Sequence, residues 1–192
     1  NVPLFNSFQT SKIVIGGGAI YGNTQEFNIR SSGTIISGGI WLQGAVSMFA
    51  HDMTISGFVL CGANGFWSAN NTIVEDCLFA GVSTVFNGCH GSYVDNCKFR
   101  CVASITITHG SISNCSIEGA SNFLNASYGA IAVNCTVSKS YEVIYRSQAE
   151  IYDSSFNSGL SVSYSQGRFV NCLLGGTENS AYQKASVLNY TE

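Results

Sequence analysis

The sequence predicts an all-β chain wound into a right-handed, single-stranded parallel β-helix of about nine coils. Three observations carry that prediction. A short word built as apolar, polar, Asn or Asp, Cys, polar, apolar returns at nearly constant spacing: "TIVEDCLF" (72–79), "YVDNCKF" (93–99), "SISNCSI" (111–117), "AVNCTV" (132–137) and "RFVNCLL" (168–174). A variant, "EIYDSSF" (150–156), carries Ser in place of Cys. The apolar positions of the word form columns rich in β-branched and aromatic residues, and the position before the Cys is always Gly, Asn or Asp.

Aligned on the Cys, the repeat runs through Gly18, Gly39, Phe58, Cys77, Cys97, Cys115, Cys135, Ser154 and Cys172, in steps of 18 to 21 residues with a mean near 19. A fixed period of this size marks a solenoid, in which each unit packs only on its neighbours. Three positions before the Cys stand Ile15, Ile36, Ile55, Val74, Val94, Ile112, Ala132, Ile151 and Phe169. Two positions after it stand Ile20, Trp41, Leu60, Phe79, Phe99, Ile117, Val137, Phe156 and Leu174. Both columns suit inward positions on strands. A spacing of two is the strand period, so the spacing of three implies an intervening bend. The bend falls on Gly17, Gly38, Gly57, Asp76, Asn96, Asn114, Asn134, Asp153 and Asn171, the residue types that tolerate positive φ. Their Asn side chains are expected to ladder along the axis. A looser second corner is expected at Gly33, Asn71, Gly91, Gly110, Gly129 and Gly167, interrupted by Met53 and Gln148. The handedness follows from strand-crossover chirality. A β-sandwich lacks the two-residue hairpin turns it would need.

Composition narrows the function classes. Apolar residues make up 45% and charged residues 10%, against a usual ~25% charged, so Ser, Thr, Asn and Gly supply the polar surface. A net charge of −3 without a basic patch argues against nucleic acid. No run approaches the ~20 apolar residues of a membrane span, so no membrane insertion is expected. The 21 Gly and single Pro favour turns over helices. The first residue is Asn1 rather than Met, which suggests a trimmed piece of a longer polypeptide. The expected organisation is an entry segment at 1–12, the β-helix at 13–176 and a partial coil or cap at 177–192.

Five of the eight cysteines share the inward column, where a thiol acts as a small hydrophobe, so free thiols and assembly in a reducing compartment are expected. No C-x-x-C pair occurs, and neither a metal nor another cofactor is expected. The sequons at Asn70, Asn114, Asn125, Asn134 and Asn189 look accidental, since two of them occupy the corner column.

The outward positions change character along the axis. One residue after the Cys stand Ala19, Ile40, Val59 and Leu78, then Lys98, Ser116, Thr136 and Ser155. Three after it stand Tyr21, Leu42, Cys61 and Ala80, then Arg100, Glu118, Ser138 and Asn157. An apolar strip on the early coils needs a cover. Sister chains of a trimer or a further N-terminal segment would provide one; a one-residue slip of the register would remove the strip by exchanging inside and outside.

Chemistry is sparse. "GGGAIYG" (16–22) is explained by the repeat rather than by a phosphate loop, since no helix follows. His90 and His109 are expected to stack at the second corner as exposed residues, with no third metal ligand in sight. Glu75 and Asp95 occupy the same outward position on adjacent coils, with Cα atoms ~5 Å apart, near the spacing of a retaining glycosidase pair; the alternative is two solvated acids beside Lys98 or Arg100. Glu142, Glu150 and Asp153 form a second acidic group near Tyr145 and Tyr152. Carboxylates beside exposed rings suit sugars, so Trp67, Tyr93, Tyr145, Tyr152, Glu142 and Asp153 are the candidate carbohydrate-binding residues, and Trp41 is structural.

With its ~20-residue Ser/Gly/Asn-rich coils, sparse charge and "V-x-N-C-x-F" columns over about residues 13–175, the chain resembles bacteriophage tailspike and tail-fibre β-helices. It is less similar to the pectate-lyase type, for want of an acidic calcium cluster beside an Arg or Lys. The resemblance implies a homotrimeric virion-tail protein, assembled in the host cytoplasm and acting outside it. Such a protein binds bacterial cell-surface polysaccharide as receptor and meets other tail proteins through flanking domains. A polysaccharide depolymerase and a structural shaft or adhesin solenoid are the competing readings.

Overall fold

The computed structural model describes residues 5–7, 14–16, 19–21, 26–29, 35–38, 40–42, 45–48, 54–57, 59–61, 70–82, 84–140, 142–145, 147–157, 162–163, 166–174 and 185–191. Trp67 lies outside the described residues, as do Gly17, Gly18, Gly33, Gly39, Met53 and Phe58 of the predicted columns. Every described element is a strand, and every pairing is parallel to the equivalent strand one coil away. The chain is an all-β, right-handed parallel β-helix. Five consecutive coils, beginning at Ile73, Tyr93, Ser111, Tyr128 and Gln148, are described together with their side chains, fewer than the nine expected for the whole stretch. Strand pairing continues on both sides of them.

Each coil has three sides. Side one holds Ile73–Glu75, Tyr93–Asp95, Ser111–Ser113, Tyr128–Val133 and Gln148–Tyr152. Side two holds Leu78–Ala80, Lys98–Arg100, Ser116–Glu118, Thr136–Ser138 and Ser155–Phe156. Side three holds Thr84–His90, Ser104–Thr108, Asn122–Asn125, Glu142–Tyr145 and Val162–Ser163. The register follows the repeat: Val74 pairs with Val94, Ile112 and Ala132 in turn, and Phe79 with Phe99, Ile117 and Val137. All eight of these residues are fully buried, while their sequence neighbours on the strands face outward.

The corner between sides one and two forms as the sequence predicts. Gly38, Gly57, Asp76, Asn96, Asn114, Asn134, Asp153 and Asn171 all have φ between 49° and 69°. The Asn96 amide donates to Asp76 at 2.6 Å, Asn134 to Asn114 at 2.8 Å and Asn171 to Asp153 at 3.2 Å; Asn114 turns instead to Asp95 at 2.7 Å. The following Cys answers a specific need. A left-handed corner rotates the next amide out of the strand ladder, and a buried N–H without an acceptor is costly. The Cys77 amide donates to Cys97 Sγ (3.4 Å) and the Cys97 amide to Cys115 Sγ (3.3 Å). Each thiol in turn donates to the carbonyl two residues earlier, at 3.0–3.4 Å. Ser154 performs both tasks with its hydroxyl, accepting from the Cys135 amide at 3.0 Å and donating to Tyr152 at 2.7 Å. On the other flank of the coil, Ser127 and Ser147 repeat the device by accepting from the Ile107 and Ser127 amides. "Asn-Cys" is thus a turn followed by its own amide cap.

Two corners differ from expectation. Between sides two and three lies a corner that the sequence reading missed, with positive φ at Gly81, Cys101, Gly119 and Lys139. At the corner entering side one, Asn71, Gly91 and Gly129 have positive φ as expected, but His109 takes that role (φ 49°) in place of Gly110. His is among the residues enriched at positive φ. Gly110 serves close packing instead: a Cβ there would lie 2.2 Å from the Ser92 carbonyl oxygen and 2.8 Å from Ile107.

Corners assigned this way explain the uneven period. Five residues separate the corner at Asn71, Gly91, His109 or Gly129 from the next, and five more reach Gly81, Cys101, Gly119 or Lys139. Side three absorbs the variation, with ten residues from Gly81 to Gly91 but eight from Cys101 to His109. The two additional residues appear as an irregularity between Val85 and Cys89, where Phe86 has φ 62°. Its ring packs edge-on to Phe79 and Phe99, which stack on each other at 5.1 Å.

The described thiols are free, as expected, and all but Cys101 are buried. Burial raises the pKa of Cys172, and hydrogen bonding with Cys135 and Cys97, reinforced by burial, raises that of Cys115. Cys115 and Cys172 therefore stay protonated at neutral pH and act as hydrogen-bond donors. On side two, Leu78 and Ala80 face outward in register with Val59 and Cys61. Phe79 between them is fully buried, which excludes a one-residue slip of the register at this coil.

Candidate functional site

Side one presents the densest set of candidate groups. Two outward columns run along it. The first is Thr54, Ile73, Tyr93, Ser111, Ile131, Glu150 and Arg168; the second is Ser56, Glu75, Asp95, Ser113, Val133, Tyr152 and Val170. Strand alternation brings Tyr93 and Asp95 to the same face two residues apart, and stacking in register puts Glu75 beside Asp95. Tyr93 is 59% exposed, and Ile73 and Ile131 are also outward-facing.

The two acids are not equivalent. The Asp95 carboxylate accepts from Ser113 Oγ and from Asn114 Nδ2, both at 2.7 Å. It is tied toward the next coil, away from Glu75, and completes the Asn ladder. Glu75 is exposed. The pair is in register, as the sequence suggested, but hydrogen bonding ties Asp95 to the frame.

The second acidic group is divided between sides. Glu150 and Tyr152 lie together on side one, where the Tyr152 hydroxyl donates to the Glu150 carboxylate and that bond raises the phenol pKa above its ordinary value. Asp153 sits at the adjoining corner in the Asn171 pair. Glu142 and Tyr145 occupy register positions on side three, opposite Asn122 and Asn125. Five carboxylates, Glu75, Asp76, Asp95, Glu150 and Asp153, therefore line side one and its corner, against Arg168.

Sequence reasoning gave less weight to the neighbouring corner. His90 and His109 are exposed and stack with ring centroids 6.3 Å apart and planes 19° from parallel. Tyr128, 53% exposed, lies next in the column that contains His90 and Thr108. Its signal was available in the spacing of His90, Thr108 and Tyr128 once Gly110 is released from the corner column. Among the described residues no group of three or more His, Cys, Asp or Glu is placed to hold a metal ion. No helix among them is long and apolar enough to cross a membrane.

The outward aromatics, the acidic face and the three-sided coil define a β-solenoid with side one as its candidate binding surface. No protein-family profile and no curated protein matches the chain. Among solved structures it is similar to two trypsin-treated forms of QnrB1, described as a plasmid-mediated fluoroquinolone resistance protein. The first is 15% identical with a TM-score of 0.37, covering 92% of each chain. The second is 13% identical with a TM-score of 0.34, covering 98% of this chain and 88% of the other. Likenesses at these scores carry no argument about function.

Proposed function

We propose that the chain is the β-helix module of a virion tailspike or tail fibre and binds bacterial cell-surface polysaccharide as its receptor, as part of a homotrimer. The observation that carries this reading is Tyr93, an exposed ring held on a rigid strand two residues from Asp95 and one coil from Glu75. A flat ring stacks on the apolar face of a pyranose, and fixed carboxylates nearby accept its hydroxyl hydrogen bonds. Tyr152 and Glu150 repeat the pairing three coils on, so a linear polymer lying along side one meets ring and acid more than once.

A depolymerase is the second reading, favoured by the in-register Glu75 and Asp95. It asks Asp95 to act while holding two hydrogen bonds from Ser113 and Asn114, which makes Glu75 the freer group. A glycan array with a reducing-end readout on the complete parent polypeptide separates the readings. Binding without release is expected. Tyr93→Ala is expected to weaken binding by about tenfold, the worth of one aromatic contact, while the fold is retained. Retention of full affinity by that variant contradicts this placement of the site. Release that disappears in Glu75→Gln supports the depolymerase.

A further inference from the structure

Capping the corner amides does not exhaust the chemistry of the inward thiol column. Cys77, Cys97, Cys115 and Cys135 stand on four consecutive coils, and the column then passes through Ser154 to Cys172. All five sulfurs are buried. Each thiol meets the carbonyl two residues earlier in its own chain, so the five side chains share one orientation. Their sulfurs therefore repeat with the coil, about 4.8 Å apart along the axis. A thiolate–metal bond is about 2.3 Å long, so an ion midway between two such sulfurs spans about 4.6 Å with its two bonds. The column already holds its sulfurs near that separation, and an ion enters the line between them without a shift of the backbone. Among the described residues no group of three or more His, Cys, Asp or Glu is placed to hold an ion, so the column serves two-coordinate cations and not tetrahedral ones.

We propose that the column binds copper(I) at two places inside the coil, one ion between Cys77 and Cys97 and one between Cys115 and Cys135. Soft thiolates select copper(I), and two sulfurs in line satisfy this monovalent cation. One Cu⁺ and two thiols give a bis-thiolate complex of charge −1 and two protons that leave to solvent. Two Cu–S bonds form, two S–H bonds break and no electron is transferred. The buried negative charge needs donors, and the column supplies them. Cys97 Sγ accepts from the Cys77 amide at 3.4 Å, and Cys115 Sγ from the Cys97 amide at 3.3 Å. Hydrogen bonds from the Cys115 and Cys77 thiols lower the pKa of Cys97, and one from Cys115 lowers that of Cys135. Each pair thus contains one sulfur eased toward the thiolate. Cys172 has the Ser154 hydroxyl, not a sulfur, as its neighbour on the preceding coil, and takes no ion. The site lies in the core, so it is independent of any glycan on side one.

The test is the copper content of the full chain after it is refolded without oxygen in excess copper(I) and passed through a copper(I) chelator that strips surface ions. Circular dichroism is the folding control. The unmodified chain is expected to keep two ions and to show a thiolate-to-copper ultraviolet band. Serine is a fair replacement, because Ser154 already accepts from the Cys135 amide and donates to the Tyr152 carbonyl in this column. Cys77→Ser/Cys115→Ser leaves Cys97 and Cys135 two coils apart, about 9.6 Å, and is expected to keep no copper. Cys101→Ser/Cys172→Ser removes as many thiols but no adjacent pair, and is expected to keep both ions. An unmodified chain without copper overturns the proposal, as do equal copper contents in the two double variants. If Cys77→Ser/Cys115→Ser fails to refold, Cys97→Ser decides. It retains only the Cys115–Cys135 pair, so one ion supports the proposal and any other number overturns it.

Discussion

Gly110→Ala is expected to destabilise the chain by about 3 kcal/mol or more, the upper end for overpacking a core, because the obstacle is backbone. The added methyl would lie 2.2 Å from the Ser92 carbonyl oxygen and 2.9 Å from the Ser92 amide nitrogen. That carbonyl accepts from the Ser111 amide at 2.9 Å, and the Gly110 carbonyl accepts from Ile131 at 3.0 Å. A shift to relieve the contact therefore strains two rungs of side one. The third side of this coil is two residues shorter than its neighbours'. Ser92 and Ala130 occupy the equivalent position in the longer coils on either side. The measurement is the urea midpoint. A change below about 0.5 kcal/mol, the range of a neutral surface substitution, contradicts the close approach.

Phe99→Ala is expected to cost about 3–5 kcal/mol by loss of buried area and creation of a cavity. The Phe99 ring is fully buried, stacks on Phe79 and meets Phe86 edge-on at 6.5 Å. Each contact adds ~0.5–1.5 kcal/mol beyond area alone. The effect should extend to the irregular turn at Phe86, whose ring packs on Phe99. Tyr93→Ala, six residues away on the outer surface, is the control and is expected to stay within about 0.5 kcal/mol. Equal costs for the two variants contradict the assignment of inside and outside.

The columns on either side of each Cys were legible because strand alternation and stacking repeat the same environment every coil. Val74, Val94 and Ile112 could be placed indoors from spacing alone, and so could the Asn and Asp corner. The corner at Gly81, Cys101, Gly119 and Lys139 was hidden because only two of its members are glycine, and Cys and Lys are not residue types that favour positive φ. Gly110 was misread because a glycine shows that a side chain is unwelcome without saying whether φ or space is the reason. The in-register placement of Glu75 and Asp95 followed from the repeat. The capture of Asp95 by Ser113 and Asn114 did not, because it depends on which way a carboxylate turns. Glu142 and Tyr145 seemed close to Glu150 and Tyr152 in sequence, but a corner puts them on different sides of the coil.

The stacked thiol column is the feature on which the other assignments depend, and its accessibility can be measured directly. Alkylation of the native protein, followed by mass mapping as denaturant is raised, distinguishes exposed from buried sulfur. Cys101 is expected to react at the rate of a free surface thiol, while Cys77, Cys97, Cys115, Cys135 and Cys172 stay protected until the chain unfolds cooperatively. Labelling of those five at the Cys101 rate under native conditions contradicts the coil register, on which both proposals rest.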